Sequence, residues 1–524
     1  MPEVLTAADR LLRVTNPATG ETLAELPLAT ATDVNAAVTR ARVAQQQWAQ
    51  VSVAERVKVL RRFQRALFEQ KDEVAALISD EAGKPRVEAL LTEVVVTLDA
   101  VNFYGREAPR LLSPQRVPHA NPVMKSKRGW LVGEPYGVVG IISPWNYPFS
   151  IPASETMAAL VTGNAVVLKP SELTPMTALR LQALMTEVGL PDGLFQVVVG
   201  DGLTGSVLVG SPIDKLIFTG SVTTGKKIAA AAAAKLMPVV LELGGKDPML
   251  VLADADIEIA SSAAVWGAFM NAGQTCLSVE RCYVHKEIYQ TFVDRCVAKT
   301  KQLRVGRGSD AETDVGPLIN PQQLRNVEVH TADAVSQGAR ILTGGHRLPN
   351  VGENFYAPTV LVDVHHGMRV MREETFGPLL PIMAFTTDEA AIALANDSEF
   401  GLSASVWTRD RRRGEAIAQR IEAGAVMVND VITCFGISEA PHGGVKASGM
   451  GRTHGRPGME EMVRAKYIDS ELLPGIAKVW WFGYGADFLA QMRGFTDVLF
   501  AKRAAARLRG AAKSLKAFSR KGRI

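Results

Sequence analysis

The chain has 524 residues, more than one ordinary hydrophobic core accommodates, and its 47% hydrophobic and 21% charged content is that of a globular protein of two or three domains. Four cysteines without paired spacing exclude a disulfide scaffold, and no C-x-x-C or His/Cys cluster offers a zinc site, so no metal is expected and the setting is reduced and cytoplasmic. The net charge of +4 is uneven, because Arg493–Ile524 holds ten basic residues against one acid, Asp497, and leaves a net −5 on the rest.

Met1 to Arg13 has no basic start followed by an apolar stretch, so no secretory signal is expected. Residues 33–49 and 53–79 place apolar side chains at helical spacing, as in Val53, Val57, Leu60, Phe63, Leu67 and Val74, and a third helical run covers about Val87 to Ala108. From Val138 short apolar runs alternate with helical patterns. Val138–Ile142, Ala165–Leu168, Phe195–Val199, Lys215–Phe218 and Val239–Leu241 read as buried strands, with helices near 152–161, 174–188, 203–210 and 222–235 between them. That alternation predicts a parallel sheet covered on both faces. A second α/β stretch runs from about Pro248 to Val445, with helices near 256–271 and 286–303 and strands at Arg281–Val284, Val360–Val362, Leu380–Phe385, Ala404–Thr408 and Ala425–Val428. No stretch is apolar and uncharged for long enough to cross a membrane.

The strongest chemical signal is Asn271-Ala-Gly-Gln-Thr-Cys276, directly after a predicted helix. A lone cysteine is ordinarily a small, inert core residue, and Cys282, Cys296 and Cys434 keep that reading. Cys276 has companions. Glu242 ends an apolar strand before two glycines, which lets a carboxylate project into a cleft, although a salt-bridged structural glutamate would look the same. Asn146, in Pro144-Trp-Asn-Tyr-Pro-Phe149, follows the strand Val138–Ile142 and can donate to a developing oxyanion.

With these residues the chain resembles the aldehyde dehydrogenase superfamily, from about Val14 to Tyr467. PWNYPF, KPSE, FTGS, ELGGK, GQTC, EETFGP and GGVKASGMGR stand in that family's order and approximate spacing. The resemblance implies that the Cys276 thiolate attacks an aldehyde and that Asn146 and the Cys276 N–H hold the oxyanion. Glu242 would then activate the water that hydrolyses the thioester. Coenzyme-A-acylating relatives typically lack that carboxylate, so a free acid is the expected product.

The same resemblance implies the cofactor contacts. Gly200-Asp-Gly202-Leu-Thr-Gly205 matches G-x-G-x-x-G literally but is read as a decoy. The pyrophosphate is expected near Phe218-Thr219-Gly220-Ser221, with Gly225 in the helix that follows and Trp145 close by. Lys169 and Glu172 resemble the adenosine-ribose clamp, whose carboxylate repels a 2′-phosphate, so NAD is favoured over NADP. Glu374 and Phe376 would hold the nicotinamide ribose and ring.

Two departures stand out. The family's common Pro-Phe-Gly-Gly is Pro441-His-Gly-Gly444 here, read as a structural substitution near the site mouth rather than as a second base. Met270 sits six residues before Cys276, where succinate-semialdehyde dehydrogenases typically carry an arginine. With Trp266, Phe269, Leu277 and Phe435 nearby, Met270 makes the pocket apolar and favours an uncharged aliphatic or aromatic aldehyde; its plainer reading is a core side chain.

Beyond the family's usual end, Val479-Trp-Trp-Phe-Gly-Tyr484 is aromatic, and Phe488, Met492, Phe495 and Leu499 recur at helical spacing. Ala504, Leu508, Ala511, Ala512 and Leu515 share one face of a further helix. Lys502, Arg503, Lys513, Lys516, Arg520 and Lys521 fall on its flanks and opposite face. A basic amphipathic helix of this kind is read as an anchor to an anionic membrane surface, or else as packing on a partner subunit. No nucleic-acid motif accompanies it.

The expected fold is α/β and aldehyde dehydrogenase-like, with two Rossmann-like domains and a small β oligomerisation element. The NAD-binding domain would take 1–122 and 137–245, the catalytic domain 246–459, the oligomerisation strands 123–136 and 460–470, and the basic tail 471–524. A homodimer or homotetramer follows, cytoplasmic or peripheral at the inner face of a membrane. Two alternatives stand beside oxidation of an apolar aldehyde: succinate-semialdehyde oxidation, and a catalytically silent binding homologue.

Overall fold

The alternating apolar and amphipathic stretches build two sheets in this computed structural model, which describes residues 11–475, 478 and 480–514. The first sheet has six strands in the order Gly449–Met450, Val239–Glu242, Lys215–Thr219, Val138–Ile142, Ala165–Lys169 and Phe195–Val197. The last five are mutually parallel, and Gly449–Met450 pairs antiparallel at the edge with Leu241 and Glu242. The second sheet has seven strands, ordered Arg340–Thr343, Thr359–Val362, Leu379–Phe385, Val279–His285, Asp247–Val251, Ser403–Trp407 and Ala425–Val428. All are parallel except Arg340–Thr343. Each sheet lies in its own apolar core, one drawn mainly from Val34 to Leu243 and the other mainly from Met249 to Cys434.

Helix ends follow local chemistry. Thr30 forms a capping box with Asp33 ahead of Ala31–Trp48, and Ser52, Ser221, Asp256 and Asn320 cap later helices through their side-chain oxygens. The run expected over 53–79 is two helices, Val53–Glu69 and Lys71–Ala82, joined at Gln70. The run from Val87 contains a π-helical turn, Leu90–Val95, which places Leu91 and Val95 on the surface. The strands Asp247–Val251 and Arg340–Thr343 and the helix Pro321–Ser336 have no counterpart in the sequence reading. Residues 198–199 lie outside the strand Phe195–Val197.

Two compact units make up the chain: Met1–Ser113 with Gly133–Arg464, and Pro114–Val132 with Ala465–Ile524. The first contains both sheets. The second contains Gln115–Val117 antiparallel to Lys127–Pro135, with Val463–Glu471 completing a three-stranded sheet. It also holds the helices Ala486–Phe500 and Ala504–Ser514, which meet where Gly494 and Gly510 abut: a Cβ on Gly510 would stand 2.4 Å from the Gly494 carbonyl oxygen. The face of Ala504–Ser514 turned inward is therefore Gly510 and Ser514, and Leu508 is 73% exposed. Trp480, Trp481, Phe482 and Tyr484 are exposed as well. Val479, Leu515, Lys516, Arg520 and Lys521 of the tail reading, and Met1–Arg10 of the signal-peptide reading, lie outside the described residues. Among the described residues no helix is long and apolar enough to cross a membrane.

Candidate active site

Three parallel strands of the first sheet release their chains at the same edge, where open α/β sheets present ligand sites. Val138–Ile142 leads into Trp145 and Asn146, Lys215–Thr219 into Gly220 and Ser221, and Val239–Glu242 ends on Glu242 itself. Cys276 arrives from the second sheet, between the helix Ile257–Phe269 and the strand Val279–His285. Its approach passes through left-handed backbone at Asn271, Ala272 and Gly273. Only glycine fits the last of these, since a Cβ there would lie 2.2 Å from the Gly377 carbonyl oxygen.

Cys276 and Glu242 both line two adjoining cavities. One is polar and is walled by Trp145, Asn146, Thr219, Gly220, Ser221, Glu374 and Phe376. The other, of 230 Å³, is walled by Tyr147, Trp266, Met270, Leu277, Ile432 and Phe435 together with Glu155, His442 and His454. No lysine or arginine of the described residues lines it. Met270 and Leu277 line this cavity with the thiol, while Phe269 is buried and lines the adjoining groove with Trp266 instead. Cys282, Cys296 and Cys434 are buried free thiols, and no group of three or more His, Cys, Asp or Glu among the described residues is placed to hold a metal.

Asn146 is buried, and its Nδ2 donates to the Gln274 carbonyl at 3.0 Å, which uses one of its two hydrogens and leaves the other for a ligand oxygen. The Asn146 carbonyl accepts from Lys84 Nζ at 2.8 Å, and Lys84 pairs with Glu93 at 2.6 Å with both side chains fully buried. Glu93 in turn accepts from the N–H groups of Phe149 and Ser150 at the start of the next helix. Tyr147 and Thr275 share a hydroxyl hydrogen bond of 2.8 Å, and Glu88 accepts from the Asn271 N–H at 2.9 Å. Lys84, Glu88 and Glu93 escaped the sequence reading because an isolated lysine or glutamate ordinarily marks a solvated surface.

The polar cavity suits a dinucleotide. Ser221 caps the helix Val222–Ala233 at the cavity wall, where the unpaired N–H groups of a helix start attract an anion. Gly244 leaves room for Glu374, whose Oε2 would lie 2.3 Å from a Cβ at that position. Glu280 fixes the segment by accepting from the N–H groups of Thr375 and Phe376. The decoy behaves differently. The helix Gly202–Gly210 is capped by the Asp201 carboxylate, which already takes the Leu203 and Thr204 N–H groups. Lys169 and Glu172 form an ion pair of 3.4 Å but do not wall the polar cavity. Neither does Gly225, whose missing Cβ makes way for the Leu243 side chain, so its place in the structure is one of packing.

Burial raises the Cys276 thiol well above its usual range, and the carboxylates Asp247, Glu374 and Glu242 add to it. Glu242 is likewise raised well up, by burial and then by Glu155, against an opposing pull from Arg452. Glu155, also buried at the cavity wall, is pushed up to about 8 by desolvation. His442 is not at the site mouth. It is 6% exposed, its Nε2 lies 3.8 Å from Glu242 Oε2, and burial lowers it to about 3, which keeps the ring neutral.

Residues 5–468 match the model of the aldehyde dehydrogenase family. The chain belongs to the aldehyde dehydrogenase family. It is 41% identical over 493 residues to a 4,4′-diapolycopene aldehyde oxidase of a Methylomonas species, covering 93% of this chain and 90% of the relative. A Mycobacterium ulcerans protein named as a succinate-semialdehyde dehydrogenase [NADP(+)] is 40% identical over 87% of this chain and 86% of its own length. Among solved structures, the NAD+ complex of an aldehyde dehydrogenase from Bacillus cereus has 35% identity and a TM-score of 0.85, covering 88% of this chain and 94% of that one. An Escherichia coli NADP-dependent enzyme has 36% identity and a TM-score of 0.84, with coverage of 88% and 95%. The fold is therefore the α/β fold of the aldehyde dehydrogenases, and the protein is an oxidoreductase acting on aldehydes.

Proposed function

We propose that this aldehyde dehydrogenase oxidises an apolar aldehyde to the free carboxylic acid with NAD. The observation that carries the reading is the placement of Cys276 and Glu242 between a polar cavity and an apolar one that lacks a cationic wall. The Cys276 thiolate forms a C–S bond to the aldehyde carbon. The free amide hydrogen of Asn146 and the Cys276 N–H share the resulting oxyanion. A bound nicotinamide supplies the hydride acceptor that leaves a thioester on Cys276. Glu242 then takes a proton from water as the water oxygen bonds to the acyl carbon. Breaking the C–S bond releases the acid and regenerates the thiol.

The apolar cavity supports a hydrocarbon substrate. Next to it lies a second groove that shares Leu91, Thr92, Trp266 and Met270 with it, and Leu91 and Trp266 expose apolar surface at the rim. A tail longer than the inner cavity would find apolar cover there. The Methylomonas relative, named for a polyene aldehyde, points the same way. Succinate semialdehyde is the second reading, supported by the name of the Mycobacterium ulcerans relative; it requires a cation that the cavity wall lacks.

NAD preference rests on the Glu172 carboxylate beside Lys169 and on the family resemblance. A homodimer or homotetramer built through the strand Val463–Glu471, and attachment of the aromatic, basic tail to an anionic membrane surface, complete the reading. The test is NADH formation at its absorbance band with hexanal, decanal, benzaldehyde and succinate semialdehyde, run beside Cys276→Ala and repeated with NADP. Turnover favouring decanal and NAD and abolished in the variant is expected. A strong preference for succinate semialdehyde sinks the apolar reading, and no turnover with any pair favours the silent homologue.

A further inference from the structure

Glu242 is a buried carboxylate with an unusual shortage of partners. Neither of its oxygens makes a hydrogen bond of ordinary geometry among the described residues, and the Thr453 N–H, a backbone donor that favours its ionised form, is already accepted by the His442 carbonyl. The space around it belongs to one loop. A Cβ on Gly443 would stand 2.8 Å from Glu242 Oε1, so the carboxylate rests against a position that has no side chain. The preceding residue, His442, holds its Nε2 3.8 Å from Oε2.

His442 is itself immobilised. Its N–H donates to the Thr453 carbonyl and its carbonyl accepts from the Thr453 N–H, both at 2.8 Å. Its ring meets Phe435 edge to face at 5.2 Å and lies 5.9 Å from the ring of His454. Phenylalanine, usual at this place in the family, could offer no polar atom to Glu242.

We propose that His442 is a positioning residue for hydrolysis: its ring Nε2–H is the resting partner of the Glu242 carboxylate, and it sets the pH at which Glu242 can accept a proton from water. The inference rests on the reading of Glu242 as the base. Which ring nitrogen carries the proton is chosen by the partner it serves, and the carboxylate selects Nε2–H. The other groups acting on this pair are Glu155, Arg452, His454, the Cys276 thiol and the Thr453 N–H. Glu155 opposes ionisation of Glu242, Arg452 favours it, and His454 is buried and held neutral, lowered to about 4 by desolvation. A donor at His442 therefore works in the same direction as Arg452, keeping Glu242 ionised at a lower pH than burial would otherwise allow.

The test uses the full chain without added cofactor. Turnover of p-nitrophenyl acetate reports acylation of Cys276 as a burst and deacylation as the steady rate. Wild type, His442→Phe, His442→Gln and Glu242→Gln are compared from pH 6 to 10, with His442→Leu standing in should the phenylalanine variant not fold. In His442→Phe the acid limb of deacylation is expected to move up by about one pH unit while the burst remains. His442→Gln, which keeps an N–H donor, is expected to return the limb toward wild type. Loss of deacylation in Glu242→Gln with an unshifted limb in the apolar His442 variant overturns the proposal and leaves the role of Glu242 intact. Retained deacylation in Glu242→Gln overturns both. A shifted limb that glutamine does not restore overturns the donor role of Nε2.

Discussion

A Cβ on Gly245 would stand 2.5 Å from the carbonyl oxygen of Cys276, so the Cys276 backbone can occupy its place only because residue 245 has no side chain. The contact joins the segment after the general-base candidate to the loop that carries the thiol. Gly245→Ala is therefore expected to displace Cys276, and displacement of order 1 Å is enough to lower kcat/KM by about 100-fold. Steady-state NADH formation measures the loss and thermal unfolding checks that the variant folds. Near-wild-type kcat/KM would show that the thiol does not depend on this close approach.

On the proposed mechanism, the two chemical steps separate at Glu242. Glu242→Gln removes the proton acceptor for water and leaves Cys276 free to form the thioester. One NADH per active site should appear as a burst, followed by a steady rate lower by about 10² to 10⁴. Rapid-mixing absorbance reads both phases. A variant without a burst would place Glu242 in the first step instead.

The resting thiol is held up by burial and by Asp247, Glu374 and Glu242. Only its thiolate fraction reacts, so the rate of Cys276 alkylation by iodoacetamide should climb about tenfold per pH unit from 7 to 9 without levelling. Mass spectrometry of the peptide containing Cys276 assigns the modified residue, and Cys282, Cys296 and Cys434 should stay unmodified because they are buried. A plateau below pH 8 would mean that some group favours the thiolate more strongly than the three carboxylates oppose it.

On the proposed apolar-substrate reading, Met270 beside the thiol is the selector. Met270→Arg would place a cation in a cavity that has none among the described residues, penalising a hydrocarbon chain and offering a carboxylate a partner. The ratio of kcat/KM for decanal to that for succinate semialdehyde should fall by about tenfold or more. An unchanged ratio would mean that selection is made elsewhere, for example at the rim formed by Leu91 and Trp266.

Much of this was legible in the sequence because the relevant signals are local. The apolar runs Val138–Ile142, Lys215–Phe218 and Val239–Leu241 are three neighbouring strands whose ends meet, and Trp145, Asn146, Ser221, Glu374 and Phe376 wall one cavity with Cys276. What escaped is non-local or breaks a period. The joint at Gln70 has no proline or glycine to mark it, and the π turn Leu90–Val95 shifts a helical face without altering the apolar count. Lys84, in the turn between two helices, and Glu93 and Glu155, within helical turns, are fully buried or nearly so, although charged residues ordinarily face water. His442 shows the same limit. Its neighbours in sequence suggested the mouth of the site, whereas a two-way pairing with Thr453 carries it inward to Glu242.

The tail can be tested apart from catalysis. In the unit that contains it, Gly494 and Gly510 bring the two helices together, and Arg507, Arg509 and Lys513 remain on exposed positions of the second helix with Leu508. Trp480, Trp481, Phe482 and Tyr484 expose aromatic surface in the same unit. Basic side chains at an anionic lipid surface contribute about 1 kcal/mol each, and aromatic rings add apolar burial that salt does not screen. Sedimentation with phosphatidylserine vesicles should therefore fall at least tenfold in a full-length Arg507→Glu, Arg509→Glu, Lys513→Glu variant. Replacing Trp480 and Trp481 with serine should weaken binding that persists at high salt. If neither variant sediments less than the wild type, lipid is not the partner of this surface. A change of subunit number in light scattering, seen in the same variants, would then assign it to contact between copies of the chain.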